Sequence, residues 1–221
     1  GLGTGGRDFT VTLAWTPSGG SQQTKTLTEK NAGDANADDT DTVLDNGDGT
    51  YTVTYTPTAA ATHALDVKDG GSTAIGGTWP ASVTVHPGST AATRSIVDTS
   101  NTLPATSTAG TALTVRVLAR DANDNAKCYD DDGDGLDVFI PSLSIDGVVS
   151  VDEVPVTTTR NKAGGYYDFT FTPTKVGTYA FDVSLGGVQI GTSPLASTVV
   201  SEGAMNAAAS TVDGDDFNFN A

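Results

Sequence analysis

The sequence predicts an all-β protein built from tandem β-sandwiches, and three observations support this fold class. Apolar and polar residues alternate with a period of two in many short segments, which is the pattern of half-buried strands. Clusters of Gly, Pro, Asn and Asp separate these segments, and helical periodicity is almost absent. The stretch Asp48–Val67 also returns in similar form at Gly164–Val183, which indicates a repeated domain.

The first strand of each copy has apolar residues at every second position. These strands are Tyr51–Tyr55 and Tyr167–Phe171, in which Thr or Asp separates the apolar residues. Side chains of a strand point alternately to opposite faces of the sheet, so we expect Tyr167, Phe169 and Phe171 to face a core. A Thr-Pro pair follows each of these strands and should end it, because proline cannot donate a backbone hydrogen bond to the neighbouring strand.

A second strand follows in each copy, and the two copies stay in register across it. The same number of residues separates Tyr51 from Tyr167 as separates Thr62 from Thr178. A constant offset over this length indicates whole domains in series rather than a solenoid of short repeats. The residues expected to point inward are Leu65 and Val67 in the first copy, and Tyr179, Phe181 and Val183 in the second.

The second copy contains seven predicted strands in about a hundred residues, which is the size of an immunoglobulin-like sandwich. The strands are A near Ser95–Val97, B at Ala112–Asp121, C at Leu136–Leu143, D at about Val151–Arg160, E at Tyr166–Thr172, F at Thr178–Leu185 and G at about Leu195–Val200.

Three segments follow from this alignment of the copies. Residues 1–87 form a repeat that lacks strands A and B, residues 88–202 form a complete repeat, and residues 203–221 begin a further repeat or form a tail. Without two strands, a sandwich exposes sheet edges and half of its core. We expect upstream sequence of a longer repeat protein to supply these strands. The alternative is donation by another chain, for example by the tail Ser210–Asn220 of a neighbour.

The order of motifs in the second copy resembles the filamin-type immunoglobulin repeat. This resemblance covers the second copy entirely and the first from its Gly-Gly-Arg-Asp-Phe segment onward. It implies that the domains act as spacers and interaction modules, to which a partner strand can add beside strand C or D. The motifs are Arg120-Asp121 with Asn125, Gly165 and Tyr167 with Thr172-Pro173, Gly177 and Tyr179, and Ser193-Pro194.

The first copy departs from this pattern at the start of strand F. Ala61 stands where the second copy has Gly177, and His63 stands where it has Tyr179. The first repeat therefore lacks the tyrosine expected to tie this corner. We interpret His63 as a core or rim histidine with satisfied hydrogen bonds, rather than as a metal ligand or catalytic group.

Composition excludes several classes of partner. The chain has 221 residues and a net charge of −16, so its surface repels nucleic acid and anionic lipid. No apolar segment approaches the length of about 18 residues that would indicate a membrane span. We therefore expect protein partners, namely other copies or neighbouring domains of a filamentous assembly.

Signals for an enzyme are poor. The two histidines, His63 and His86, lie in no metalloprotease motif, and the sequence contains neither a nucleophile elbow nor a phosphate-binding loop. Cys128 has no histidine near it in sequence, so a thiol nucleophile is unsupported, and its pairing state stays open. The sequence thus predicts a non-catalytic protein without a cofactor, calcium excepted.

The acidic segment between strands B and C predicts a calcium site. Asp130, Asp132 and Asp134 alternate and are followed by Gly135 and Asp137, which is similar to the start of a calcium-binding loop. Alternating carboxylates converge on one cation, and glycine permits the sharp turn. The alternative is an acidic turn that only water solvates.

Topology extends this prediction to a second acidic segment. In an immunoglobulin sandwich the B–C loop lies at the end where strand A begins, so Asp130–Asp137 should face the first repeat. The C–D segment of the first repeat, Glu29–Asp41, should emerge toward the same junction. Two acidic clusters would repel each other without a cation and would stiffen the joint with one.

The predicted function is that of a structural and interaction module in an extracellular or cell-surface filament, appendage or adhesion protein. Abundant Thr and Asp, few Lys and the calcium-like loop favour this location. The alternative is an intracellular cytoskeletal or ciliary scaffold, since filamins are cytoskeletal. A carbohydrate-binding module ranks last, because Trp15 and Trp79 each lie where a strand can bury them.

Overall fold

The computed structural model confirms the all-β fold class. It describes residues 9–27, 29–30, 41–70, 73–76, 80–128, 137–149 and 154–203. Every regular element in these residues is a β-strand. Among them we find no helix that is both long and apolar enough to cross a membrane.

The first repeat forms two sheets in the described residues. The strands are β1 (Phe9–Trp15), β2 (Gln23–Leu27), β3 (Glu29–Lys30), β4 (Thr42–Asp45), β5 (Tyr51–Thr54), β6 (Ala61–Asp69), β7 (Thr73–Ala74) and β8 (Ala81–Val85). One sheet has the order β2-β1-β6-β7, with β8 paired to β6, and the other has the order β3-β4-β5. By position, β1, β6 and β8 correspond to strands C, F and G, and β4 and β5 correspond to D and E.

The second repeat also forms two sheets in the described residues. The strands are β9 (Ile96–Val97), β10 (Thr106–Thr108), β11 (Leu113–Leu118), β12 (Phe139–Ile145), β13 (Val148–Val149), β14 (Thr157–Asn161), β15 (Tyr166–Phe171), β16 (Gly177–Leu185), β17 (Val188–Gln189) and β18 (Ala196–Ser201). The first sheet has the order β10-β18-β16-β12-β13, with β17 paired to β16, and the second has the order β14-β15-β11-β9.

Strands A to G of the second repeat are confirmed as β9, β11, β12, β14, β15, β16 and β18, with ends shifted by a few residues. The short strand β10 was not predicted. It pairs in parallel with β18, with Ser107 opposite Val200. A three-residue strand of Thr and Ser has no apolar alternation, so only its pairing defines it.

The core of the second repeat is dense and aromatic. Tyr167, Phe169 and Phe171 on β15 are at most 4% exposed, as predicted from their alternation. Phe171 stacks on Phe181 of β16, with ring centroids 6.2 Å apart. Contacts of this kind join the two facing sheets.

The first repeat has a thinner core. Its buried cluster consists of Val11, Leu13, Leu27, Val43 and Val67. The side chains of β5 that should point inward are only partly buried. Val53 is 37% exposed, whereas its equivalent Phe169 is fully buried. Part of the inward face of β5 is therefore exposed, while the absence of strands A and B from this repeat stays a prediction.

The chain divides into two compact units that do not follow the repeats. Unit 1 comprises Gly1–Ile96, Leu118–Val138 and Arg160–Tyr167, and unit 2 comprises Val97–Val117, Phe139–Thr159 and Asp168–Ala221. Unit 1 thus includes the turn that follows β11. All side-chain contacts described below join residues of the same unit.

Candidate functional site

His63 is a buried histidine with both ring nitrogens hydrogen-bonded. It is 2% exposed, its Nε2 lies 2.9 Å from the carbonyl oxygen of Ala59, and its Nδ1 lies 2.8 Å from the hydroxyl of Tyr55. A carbonyl oxygen only accepts, so Nε2 donates to it, and in that neutral tautomer Nδ1 accepts from the hydroxyl. Trp15 stacks on the ring at 5.1 Å. The interpretation of His63 as a satisfied core residue is confirmed.

The same corner of the second repeat contains Tyr179. Its hydroxyl donates to the carbonyl oxygen of Lys175 at 3.0 Å, and Tyr179 is fully buried. In both repeats the side chain therefore bonds the carbonyl four residues earlier. Histidine replaces tyrosine in this role. The first repeat therefore keeps the hydrogen bond at this corner, although it lacks the tyrosine.

The turn after β11 is organised by the carboxylate of Asp121, which is 2% exposed. Its Oδ1 accepts from the backbone amides of Asn123 at 2.8 Å and Asn125 at 2.9 Å. Its Oδ2 accepts from the amide of Gly88 at 2.9 Å and from Asn125 Nδ2 at 2.8 Å. Four donors thus satisfy one buried carboxylate, as a buried charge requires.

These hydrogen bonds also determine the pKa of Asp121. Burial raises the pKa of this carboxyl, but the hydrogen bonds from Asn125, Gly88 and Asn123 together lower it by more. The pKa therefore lies below its ordinary value of 3.8. Asp121 is consequently an ionised structural acceptor rather than an acid poised for proton transfer.

Asn125 connects this turn to the first repeat within unit 1. Its Oδ1 accepts from the amide of Ala60 at 2.9 Å, and its Nδ2 donates to the carbonyl oxygen of Thr58 at 2.9 Å. A primary amide is well suited to this position because it offers one acceptor and two donors. The Arg-Asp-x-x-x-Asn motif predicted the turn, but no sequence signal predicted its partner.

Two further residues hold the start of the second repeat. Lys127 is 3% exposed, and its Nζ donates to the carbonyl oxygen of Gly88 at 2.8 Å. Asp121 and Lys127 therefore bind both the amide and the carbonyl of Gly88. Gly165 lies against the same segment, and a Cβ placed on it would be 2.9 Å from the backbone nitrogen of Lys127. This approach explains the glycine at the start of the Gly-x-Tyr motif.

The predicted calcium ligands fall mainly outside the described residues. Asp130, Asp132 and Asp134 lie there, as does most of the segment Glu29–Asp41. Asp137 is described, and its Oδ2 accepts from Thr90 Oγ1 at 2.6 Å and from the Tyr167 hydroxyl at 3.4 Å. Within the described ranges, no cluster of three or more His, Cys, Asp or Glu side chains is arranged to hold a metal.

Two other residues singled out by sequence are placed only in part. Trp15 is half-buried and has one ring face covered by His63, and Trp79 lies outside the described residues. Cys128 is half-buried, and burial raises the pKa of its thiol. A raised pKa keeps the sulfur protonated and poorly nucleophilic, which fits the expectation that it is not a catalytic nucleophile.

A groove lies beside strand β12, which is strand C of the second repeat. It has a volume of about 200 Å³ and is lined by Pro141, Leu143, Val154 and Val156. One edge of β12 pairs with β16 along its full length, from Phe139–Leu185 to Ile145–Tyr179, and the other edge pairs with β13 at Ser144 and Ile145.

Comparisons with solved structures found several proteins to which this chain is similar. The filamin domain of Lin-41 is 20% identical with TM-score 0.38, and covers 54% of this chain and 100% of its own. InvD of Yersinia pseudotuberculosis is 19% identical with TM-score 0.50, and covers 94% of this chain and 51% of its own. FdeC, an Escherichia coli adhesin, is 19% identical with TM-score 0.43, and covers 89% of this chain and 54% of its own.

Of these three likenesses, the one to InvD has a TM-score of 0.50, and it bears on the fold alone. The chain spans about half the length of InvD and FdeC. A search of curated protein sequences gave no match. The family comparison is more specific, because the Filamin/ABP280 repeat matches residues 4–78 and again residues 89–196. Both matches fall within the predicted segments 1–87 and 88–202, whose boundaries stay predictions. The chain belongs to the Filamin/ABP280 repeat family.

Proposed function

We propose that this chain is a non-catalytic spacer and assembly module of an extracellular or cell-surface filament, appendage or adhesion protein. The observation that carries the proposal is the position of Asn125, which joins the turn after β11 to the first repeat. Its Oδ1 accepts from the amide of Ala60, and its Nδ2 donates to the carbonyl oxygen of Thr58. A spacer built from domains in series needs a defined connection between them, and these hydrogen bonds support that role.

The surface composition supports the extracellular location. The chain carries 27 acidic and 11 basic residues, so like charges keep neighbouring molecules apart unless a specific surface joins them. Its single cysteine is half-buried and has a raised pKa, so it contributes little exposed thiolate for oxidation. This chemistry suits an oxidising exterior.

Protein partners would add a strand beside β12. The groove lined by Pro141, Leu143, Val154 and Val156 offers apolar contacts next to that strand. Backbone hydrogen bonds would give affinity, and side chains in the groove would give specificity. Neighbouring domains and other copies of the assembly are the partners proposed.

Calcium is proposed as a stiffening ion at Asp130, Asp132, Asp134 and Asp137. Alternating carboxylates suit this cation, and extracellular sites bind it with dissociation constants of about 10⁻⁴ to 10⁻³ M. Asp137 already accepts hydrogen bonds through Oδ2, so its contribution to the ion would come from the other oxygen.

The location is tested on intact cells of the source organism with an antibody raised against this chain. Labelling of intact cells, lost after brief external protease treatment, is the expected result. A cytoplasmic protein probed in parallel controls for lysis. Labelling that requires permeabilised cells would overturn the extracellular proposal and favour the cytoskeletal or ciliary scaffold.

The ion is tested by thermal unfolding of the chain in EGTA and then in about 2 mM Ca²⁺, with Mg²⁺ as the control. A rise in Tm with Ca²⁺ alone is expected, and it should disappear in the double variant Asp132→Asn, Asp134→Asn. An equal Tm in all three solutions would reduce the segment to a solvated acidic turn.

A further inference from the structure

A wide groove lies beside Trp15, at the end of β1. Its volume is about 750 Å³, and all of the described residues that line it belong to unit 1. Sites for small molecules typically have volumes of roughly 300–1,000 Å³, so the groove has the size of a ligand site. Many of its lining side chains are small and leave room for a ligand, namely Ala14, Thr16, Ser18, Ala60, Thr62 and Ala126.

Trp15 offers an aromatic surface to this groove. His63 stacks on the indole with ring centroids 5.1 Å apart and 21° between the ring planes, so one face of the indole is covered. Trp15 is only half-buried and lines the groove, so a ligand can contact the rest of the ring. The face of an aromatic ring carries partial negative charge, which attracts the slightly positive C–H groups of a sugar ring.

Two buried donors on side chains that line the groove have no acceptor. Trp15 Nε1 and Arg120 Nε are both covered, and neither has a hydrogen-bond partner among the described residues. The side chains of tryptophan and arginine only donate, so a ligand must supply acceptors to satisfy them. A buried donor without an acceptor is costly, and a small rotation of either half-buried side chain would turn its N–H toward such a ligand.

The charged side chains of the groove balance each other. Among the described lining residues, Asp124 is the acidic and Arg120 the basic one, although the whole chain has a net charge of −16. Arg120 Nη1 donates to the carbonyl oxygen of Asp124 at 2.8 Å, and Arg94 Nη1 donates to Asp124 Oδ2 at 3.2 Å. A charged ligand would therefore gain no net attraction from this wall, which favours an uncharged one.

We propose that this groove binds a neutral saccharide, with a sugar ring against Trp15 and sugar hydroxyls at Arg120 and Gln22. A hydroxyl both accepts and donates, so a saccharide can satisfy the two unpaired donors and also bond the exposed amide of Gln22, which lines the groove. An aliphatic ligand would leave those donors unpaired, and a carboxylate would be repelled by Asp124. Saccharide binding would be an activity in addition to the spacer role and does not depend on it.

The proposal is tested by adding cellobiose, lactose, maltose or N,N′-diacetylchitobiose to the full 221-residue chain. Each is titrated to about 20 mM, and we expect at least one to bind with a dissociation constant of about 1 mM or lower. Binding should shift the indole N–H signal of Trp15 in a two-dimensional proton–nitrogen NMR spectrum. Trp15→Phe identifies this signal, keeps an aromatic ring on His63 and removes Nε1. It should weaken binding by at least about fivefold, with thermal unfolding as the check that the variant folds.

Gln22→Ala and Gln23→Ala form a matched pair of variants. Both glutamines are exposed, but Gln22 lines the groove, whereas Gln23 lies outside the described lining and donates to the carbonyl oxygen of Ser21. We expect Gln22→Ala to weaken the dissociation constant by at least about threefold, and Gln23→Ala to leave it within about 1.5-fold.

Three results would overturn the proposal. The first is that none of the four disaccharides binds at the highest concentration. The second is that binding is equally strong in Trp15→Phe and Gln22→Ala as in the unchanged chain, since the saccharide would then occupy another place. The third is that glucuronate binds more tightly than glucose, which would contradict the preference for an uncharged ligand. None of these results bears on the spacer role, which the cell-surface labelling tests separately.

Discussion

His63 donates a hydrogen bond from Nε2 to the carbonyl oxygen of Ala59, four residues earlier in the chain, at 2.9 Å. Tyr179 makes the corresponding bond to Lys175 in the second repeat. An imidazole and a phenol thus perform one structural role in two copies of a domain. The corner needs a buried donor that reaches this carbonyl rather than a particular ring.

Replacing His63 tests this role. His63→Ala removes the tie, leaves the Tyr55 hydroxyl without its acceptor and opens space beside Trp15. We expect the free energy of unfolding to fall by about 2–4 kcal/mol, measured by urea denaturation. His86→Ala, at the exposed second histidine, is the control and should change it by less than about 0.5 kcal/mol. Equal effects of the two variants would contradict the assignment.

Asn125→Asp tests the amide between the turn and the first repeat. The change removes the donor to Thr58 and places a second carboxylate beside Asp121 Oδ2. We expect a loss of about 1–3 kcal/mol in the free energy of unfolding at pH 7. Asn123→Asp introduces the same charge on an exposed side chain of the same turn and should be nearly neutral. A neutral Asn125→Asp would show that these hydrogen bonds contribute little.

The pKa of Asp121 predicts acid sensitivity. Its folded-state pKa lies below the ordinary value of 3.8, so the stabilisation is fully present above pH 3.8. It is lost as the pH falls below 3.8 through the lower folded-state pKa. The pKa of Asp41 is also lowered, first by the hydrogen bond from Lys25, so the stabilisation from this carboxyl is likewise lost only below pH 3.8.

Urea unfolding midpoints between pH 5 and pH 2.5 measure this effect. For the unchanged chain we expect a decrease that sets in as the pH falls below 3.8, and a shallower decrease for Asp121→Asn, which starts from a lower stability. An equal slope in both would show that Asp121 does not contribute to the acid transition.

Gly165→Ala tests the close approach of two backbones. Gly165 has φ of +63°, and its added Cβ would meet Lys127 backbone atoms at 2.9 to 3.2 Å. Backbone cannot move aside as a flexible side chain can, so we expect a loss of about 3 kcal/mol or more by thermal or urea unfolding. Gly147→Ala has a similar φ of +81° but open space around it, and should cost only about 1 kcal/mol. Similar losses would exclude the contact as the cause.

Much of the fold was predictable because the two-residue period of a strand is visible in consecutive residues of the sequence. The alternation of Tyr167, Phe169 and Phe171 predicted β15 and its buried face, and both are confirmed. Strand β10 was not predictable, because Thr106–Thr108 forms a strand only through its parallel pairing with β18. The structure bears on only one ligand of the predicted calcium site, since three of its four aspartates lie outside the described residues.

The all-β class, the two repeats and the family motifs follow from the amino-acid sequence, because local alternation and repeated spacing are properties of the chain alone. The binding partners of those motifs depend on the tertiary fold. Asn125 and Thr58 lie far apart in sequence but share a hydrogen bond. His63 replaces Tyr179 by bonding the carbonyl four residues earlier, which the difference in residue type does not suggest. A hydrogen bond depends on which donor and acceptor folding brings within about 3 Å, and long-range contacts of this kind leave no periodic pattern in a single sequence.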